Sequence, residues 1–420
     1  MGGRCPLEDR DPALSAFIFV LRGKLQRSAA IFSVSVEAGT SPSSVVVLCL
    51  IGPDTGSNMG KETPQLPQRE KEKHDPEHVL VTGGAGYIGS HAALRLLELG
   101  LTVTVLDDLS RGNRGAIRVL EKIASPGQFQ FIKADMTDLE ELHRIFAVSD
   151  FDVVMHFAAL TNVGESHAKP MLYYKMNTAC IVNILDAMRV HNVDKFIYSS
   201  TCATYGNPKQ VPITEDTPQV PVNPYGLSKR MAEEVVKDYS HSNKKFSAAV
   251  LRYSCIVGAD PNCRLGEAPS PELKMYSRLI TACAYATLGR LPSVKIYGTN
   301  HPTEDGTCVR DYIHVLDLVN AHIAAMNHLK EGQVQVFNVG TGKGYTVRDF
   351  IAAWEKVTGK SIIVEELQES RPGDPSKVYC DPSKLENELG WKPDYGNLES
   401  ALATAWSWYQ ANPDGFSSSP

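Results

Sequence analysis

The segment Gly83-Gly84-Ala85-Gly86-Tyr87-Ile88-Gly89 follows the apolar run His78–Thr82 and opens a stretch of helical periodicity. A strand that passes through a glycine turn straight into a helix restricts the fold severely, because the chain must reverse within a few residues and lay helix against strand. One glycine permits the tight turn, one lets the backbone approach a pyrophosphate, and one lets the helix pack on the strand. The new helix offers unpaired N–H groups and a partial positive charge to an anion. Alone, Gly-x-Gly-x-x-Gly is a weak signal. Its setting strengthens it: the next apolar run, Thr102–Leu106, ends in Asp107-Asp108, 18 residues beyond Gly89. An acid there meets a ribose 2′-hydroxyl and favours NAD over NADP, although Arg111 is close enough to keep the second option open.

Further β-branched runs alternate with amphipathic stretches. Strands are expected at Gln128–Lys133, Asp152–Phe157, Lys195–Ser199 and Ala248–Tyr253, and helices at Ser90–Leu99, Met171–Val190 and Pro224–Ser240. Such alternation predicts an α/β fold, a doubly wound parallel sheet with both faces covered. Gly258–Leu273, rich in Pro, Gly and charge, reads as a long ordered loop before a smaller C-terminal α/β portion. The expected division is a disordered or untranslated leader over 1–76, a dinucleotide-binding domain over 77–253, a mainly substrate-binding domain over 254–413 with segments returning to the first, and a tail over 414–420. Met59 is a second candidate start. Acidic Glu8, Asp9 and Asp11 argue against a secretory signal.

Composition excludes several classes. The 420 residues are 43% hydrophobic and 21% charged, enough apolar material for a core, and the net charge of −6 gives no general affinity for nucleic acid. No apolar run reaches the ~20 residues of a membrane span. The nine cysteines show no Cys-x-x-Cys pair or ligand cluster, so a reducing cytoplasmic setting is expected and a metal site is not.

Tyr225 and Lys229, in Pro224-Tyr225-Gly226-Leu227-Ser228-Lys229, lie four apart and share one helix face. A phenol titrates about three units too high to serve as a base at neutral pH, a gap worth roughly 4 kcal/mol. A neighbouring ammonium and a positive nicotinamide ring favour the phenolate. Taken alone, Tyr-x-x-x-Lys is more often an exposed helix pair. Thr201, just past the strand Lys195–Ser199, faces the same crevice if the sheet is parallel, because active sites of such sheets lie beyond the C-terminal strand ends. Its hydroxyl could pass a substrate proton to Tyr225, or simply cap a turn.

Glycine turn, hydroxyl residue and Tyr-x-x-x-Lys, in that order, resemble the extended short-chain dehydrogenase/reductase superfamily. Val81–His91, Val163–Ser166, Asn223–Gly226 and Glu304–Val315 are similar to the UDP-glucose 4-epimerase family. Ser200-Thr201-Cys202-Ala203-Thr204-Tyr205-Gly206, Gly266–Leu273 and Val378 after Arg371-Pro372-Gly373-Asp374 look closer to its UDP-arabinose 4-epimerase branch. The resemblance covers roughly residues 77–413. It implies a Rossmann fold, NAD as cofactor, a UDP-sugar substrate and inversion at C4, with Tyr225 as base, Thr201 as relay and Lys229 on the NAD ribose. UDP-glucose/UDP-galactose interconversion is the first expectation and UDP-arabinose/UDP-xylose the alternative. It further implies cofactor contacts from Gly83, Gly86, Tyr87, Ile88, Gly89, Asp107, Asp108, Asp135, Met136, Phe157, Ala158, Ala159, Asn177 and Ser254. Substrate contacts are implied at Cys255, Glu272, Leu273, Lys295, Ile296, Tyr297, Arg310, Arg371, Asp374 and Val378. Members often form homodimers through a helix pair.

The chain departs from the family in places. Ser254-Cys255 stands where an aromatic and an amide are usual, and Thr161 where many members carry Lys. A related dehydratase or decarboxylase is a competing reading, but dehydratases want an acid directly after the hydroxyl residue, where this chain has Cys202. A weakly active binding protein is the other competitor, opposed by the intact Thr201, Tyr225 and Lys229.

Overall fold

The structure is a computed structural model that describes residues 78–269 and 278–416. The leader expected over 1–76, the Met59 start, Glu272 and Leu273 lie outside the described residues.

All six expected strands form: β1 (His78–Thr82), β2 (Thr102–Asp107), β3 (Phe129–Lys133), β4 (Val153–His156), β5 (Lys195–Ser199) and β6 (Ser247–Tyr253). The later strands are β7 (Cys255–Val257), β8 (Val294–Tyr297), β9 (Val309–Arg310), β10 (Tyr312–His314), β11 (Val334–Val339), β12 (Tyr345–Thr346), β13 (Val364–Leu367) and β14 (Lys377–Val378). The main sheet has seven strands in the order β11-β6-β5-β4-β1-β2-β3, every pair parallel. Between β1 and β4 the chain order reverses, which is where such sheets open a crevice for ligand.

The helices are α1 (Tyr87–Glu98), α2 (Arg114–Ile123), α3 (Leu139–Ala147), α4 (Val163–Ala168), α5 (Pro170–Tyr173), α6 (Cys180–Val190) and α7 (Pro224–Ser242), followed by α8 (Leu279–Thr287), α9 (Val315–Asn327), α10 (Val347–Thr358), α11 (Ser383–Leu389) and α12 (Leu398–Ala411). Alternate residues of a strand point to opposite faces. Val79 and Val81 of β1 accordingly pack with α1, α2 and α9, while Leu80 packs with α3, α6 and α7. Both faces are dry, which is why the strands read as unbroken apolar runs. A third apolar cluster joins α8, α10 and α12 to β7 and β8.

Two features differ from the sequence expectation. Met171–Val190 is not one regular helix, because Tyr174–Ala179 is a π-helical segment between α5 and α6. The seventh strand, β11, comes from late in the chain and pairs along β6 from Val334↔Ala248 to Val339↔Tyr253. It carries Gln335 and Asn338, so no continuous apolar run announces it.

Candidate active site

The glycine turn is built as its sequence requires. Gly83 has φ +70°, and a Cβ there would lie 2.5 Å from the Ala158 backbone nitrogen, so the loop after β4 passes hard against it. A Cβ on Gly89 would lie 2.3 Å from the Gly83 oxygen. Asp107 ties the turn to the end of β2, accepting hydrogen bonds from Ala85 N (3.0 Å) and Leu109 N (2.8 Å). Burial pushes its carboxyl up from the ordinary value, and those two N–H groups oppose the shift. Gly86, the N-cap of α1, brings no side chain to the first-turn N–H groups. These donors are left for a ligand.

Around the turn opens a cleft of about 290 Å³ whose mouth is open to solvent. Its lining runs from the glycine turn past the end of β2 to the loop after β4, the crevice in which such sheets hold a dinucleotide. Gly83, Gly86, Tyr87, Ile88, Gly89, Asp107, Asp108, Asp135, Met136, Phe157, Ala158 and Ala159 all line it. Asn177 does not line it. Its Oδ1 accepts from Leu160 N at 2.8 Å, and its Nδ2 donates to Leu160 O (2.9 Å) and Ser228 Oγ (3.0 Å). Asn177 therefore ties the cavity wall to α7, and the π-helical segment re-registers the helix to aim it there. Ser254 is half-buried after β6 and absent from the lining.

The catalytic candidates sit at the C-terminal edge of the sheet. Thr201 follows β5, and its Oγ1 caps the short turn Cys202–Tyr205 by accepting from Ala203 N at 3.1 Å. The same hydroxyl acts on the Tyr225 phenol, lowering its pKa. Burial raises the phenol's pKa, while the Thr201 hydroxyl and then the Arg278 charge pull it back. Lys229 is buried one turn along α7, its Nζ 4.4 Å from the centre of the Tyr198 ring. Burial draws that ammonium down to about 7, against the pull of Glu233. In the protein alone, the groups that lower the Tyr225 pKa are Thr201 and then Arg278.

A buried network holds the Thr201 turn from below. Arg252 meets Glu233 at 2.5 Å, Glu233 accepts from Ser200 Oγ and from Gln219 Nε2 (2.9 Å), and Arg252 donates to the Tyr205 hydroxyl at 2.9 Å.

The substrate candidates gather on short strands outside the main sheet. Arg310 on β9 ion-pairs with Asp374, and its Nη2 donates to Pro375 O at 2.7 Å. Val378 lies opposite Arg310 in the β9–β14 register and packs with Cys202 and Tyr205, so this strand abuts the catalytic turn. The Arg371 guanidinium sits 4.3 Å from the centre of the Tyr297 ring. Ile296 is buried in the third apolar cluster, so only its backbone can reach a ligand, and Lys295 points out to Glu365 (3.8 Å). Cys255 feels both Arg310 and Arg278, and burial lifts its thiol to about 11, leaving it neutral at pH 7.

Some site residues escaped sequence reasoning. Arg278, Glu267, Glu165 and Phe416 line the cavity, and Asn223 holds the loop at Gly373. Asn223 had a visible signal, since Asn before Pro-Tyr at a helix start is a capping pattern. The others had none.

Glycine cradle, parallel switch point and a Thr201–Tyr225–Lys229 set define an extended short-chain dehydrogenase/reductase. The GDP-mannose 4,6 dehydratase family, described under that name, matches residues 80–402. UDP-arabinose 4-epimerase 1 of Arabidopsis thaliana is 50% identical over 347 residues, 82% of each chain. UDP-glucose 4-epimerase of Halalkalibacterium halodurans is 43% identical over 340 residues, 81% of this chain and 97% of that one. The crystal structure of UDP-glucose 4-epimerase from Bifidobacterium longum, in complex with NAD+ and UDP, superposes with a TM-score of 0.77 at 39% identity, over 80% of this chain and 99% of that one. The chain belongs to the UDP-glucose/UDP-arabinose 4-epimerase family, enzymes of the isomerase class. Among the described residues no helix is long and apolar enough to cross a membrane, and no cluster of three metal-ligating side chains occurs.

Proposed function

We propose that this protein is an NAD-dependent UDP-sugar 4-epimerase whose preferred substrates are the UDP-pentoses, UDP-arabinose and UDP-xylose. The observation that carries the reaction type is the placing of Thr201, directly after β5, and of buried Lys229 on the helix of Tyr225, at the C-terminal edge of a sheet that also builds the glycine cradle. Bound in that cavity, NAD would take a hydride from C4 of the sugar and return it to the opposite face.

The protein's own residues handle the proton and the geometry. Tyr225 accepts the proton of the 4-hydroxyl, with Thr201 bridging, and gives it back after the sugar has turned about its pyrophosphate link. Burial keeps the free phenol protonated, so added positive charge is needed to make it a base. Lys229 holds the cofactor ribose. Arg310, Arg371 and Asp374 anchor the nucleotide half while the sugar turns, and a planar guanidinium suits phosphate oxygens.

The pentose preference rests on 50% identity with the Arabidopsis UDP-arabinose enzyme against 43% with the bacterial UDP-glucose enzyme. UDP-glucose/UDP-galactose interconversion is the second reading, favoured by the full-length bacterial match. Purified protein with NAD and each of the four UDP-sugars, products separated by sugar, decides between them. Turnover of UDP-arabinose and UDP-xylose faster than the hexoses is expected; hexose turnover alone supports the second reading, and inactivity with all four removes both.

A homodimer is also proposed. Exposed Leu172, Val182, Val190, Leu227 and Met231 lie on α5, α6 and α7, an apolar helical surface of the kind through which members of the superfamily pair. Light scattering should report twice 46.0 kDa; a single-chain mass refutes it. The free thiols of the described cysteines support a cytoplasmic setting.

A further inference from the structure

The cavity wall is rich in acid. Asp107, Asp108, Asp135, Glu165 and Glu267 line it, against Arg111 and Arg278. Arg111 is already committed, its Nη2 lying 2.8 and 2.9 Å from the two oxygens of Glu165. A pyrophosphate at the α1 N–H groups faces this acidic wall, where a cation would offset the repulsion, and Thr161, also in the lining, supplies none. Arg278 is the remaining candidate among the described lining residues.

Its geometry suits that part. Arg278 stands at the N-cap position of α8 without a side-chain cap bond, and its guanidinium carbon sits 5.5 Å from the centre of the Tyr87 ring. Tyr87 is the first residue of α1, where the free N–H groups are, and its hydroxyl is fixed by donation to Gly258 O at 2.5 Å. Glu267 ion-pairs with Arg278 Nη1 at 3.1 Å but without hydrogen-bond alignment, so this buried nitrogen keeps a donor to spare.

We propose that Arg278 is a cofactor-binding and electrostatic positioning residue: held by Glu267 over Tyr87, its guanidinium takes the dinucleotide pyrophosphate and its fixed positive charge acts on the Tyr225 phenol. This rests on the epimerase reading for its second half only. Around Tyr225 the other groups are Lys229 on the same helix, Cys202 on the Thr201 turn, and Tyr198, Tyr253 and Cys255 on β5 to β7. Tyr173 approaches edge-on, ring centres 6.4 Å apart. Of these only Lys229 carries a charge at neutral pH, and burial weakens its hold on a proton. Arg278 keeps its charge throughout.

The test compares wild type with R278Q and R278K. NAD affinity is read by fluorescence titration, and the acidic limb of the kcat/KM profile by epimerisation. For R278Q an NAD Kd raised at least tenfold is expected, with the limb moved about half a unit or more to higher pH. R278K should restore the limb and part of the affinity. An R278Q protein that binds NAD within twofold of wild type, or whose limb stays in place, overturns the assignment. If wild type turns over no UDP-sugar, the functional reading fails, and the NAD titration alone then decides the role of Arg278.

Discussion

Asn223 and Gly373, 150 residues apart in sequence, are joined by a hydrogen bond of 3.0 Å from the Asn223 Nδ2 to the Gly373 oxygen. The Oδ1 of the same side chain caps α7 by accepting from Gly226 N at 2.8 Å. One amide thus registers the catalytic helix against the loop that carries Arg371 and Asp374. Asn223→Ala should lose about 1 kcal/mol of stability as a missing cap, and should also raise KM for the UDP-sugar. Asn223→Asp separates the two roles: it keeps the cap and loses the donor. A near-normal Tm with a raised KM is expected for it, and an unchanged KM would show that the link to Gly373 does not position substrate.

Tyr225→Phe removes the proton acceptor and little volume. It should fold, bind NAD and lose epimerisation by about 10³-fold or more, within the range that general acid–base groups supply. Residual turnover within tenfold of wild type would take the proton-transfer role away from this residue.

Gly83→Ala must fail at the cofactor site. Its φ of +70° disfavours a side chain, and the added carbon would meet the Ala158 backbone at 2.5 Å. The expected result is a lower Tm and weakened NAD binding, read by calorimetry and titration. A variant that binds NAD as tightly as wild type would mean the loop after β4 can yield.

Acid should destabilise the fold. Burial holds His91 and His322 near about 4 and His156 and His314 near about 3. These are below the free value of ~6.5, so the unfolded chain takes up their protons first. The stability of the neutral rings is complete above that value and is lost as pH falls toward 4. Asp311 and Asp317, lifted to about 6 by burial, work the other way and partly offset the loss. Four groups against two leave a net fall, each uncompensated proton weighing ~1.4 kcal/mol per pH unit. Tm measured from pH 7 to 4.5 should drop, steepest below 6; a flat profile would contradict the burial of these rings.

Cys255→Asn puts an amide where the charges of Arg310 and Arg278 already act on the thiol. It should lower KM for the UDP-sugar or improve cofactor retention, as Ser254→Phe should for the nicotinamide side. Unchanged kinetics in both variants would make this departure neutral.

What could be read from residue order is what local physics determines. The Gly83–Gly89 turn, the acid ending β2 and the pair Tyr225–Lys229 each sit within a few residues of the strand or helix that gives them meaning. Thr201 was legible because parallel strands end at a common edge. Arg278 was not, since nothing near it in sequence says that the residue just before α8 lies over Tyr87. Asn177 came from the resemblance alone; its tie to Leu160 and Ser228 depends on a π-helical segment that helical spacing does not announce. The partner of Arg310 was hidden for the same reason as the Asn223–Gly373 link: both depend on a loop more than sixty residues away.

The position of β11 has a consequence for how this chain is made and cut. Since β6 is hydrogen-bonded on its outer side by Val334–Val339, a nascent chain released or truncated near Tyr253 would present β6 as a bare, apolar template for any other strand. The cofactor half is not a separable module; a fragment ending there should associate or precipitate unless the last third of the polypeptide is supplied alongside it.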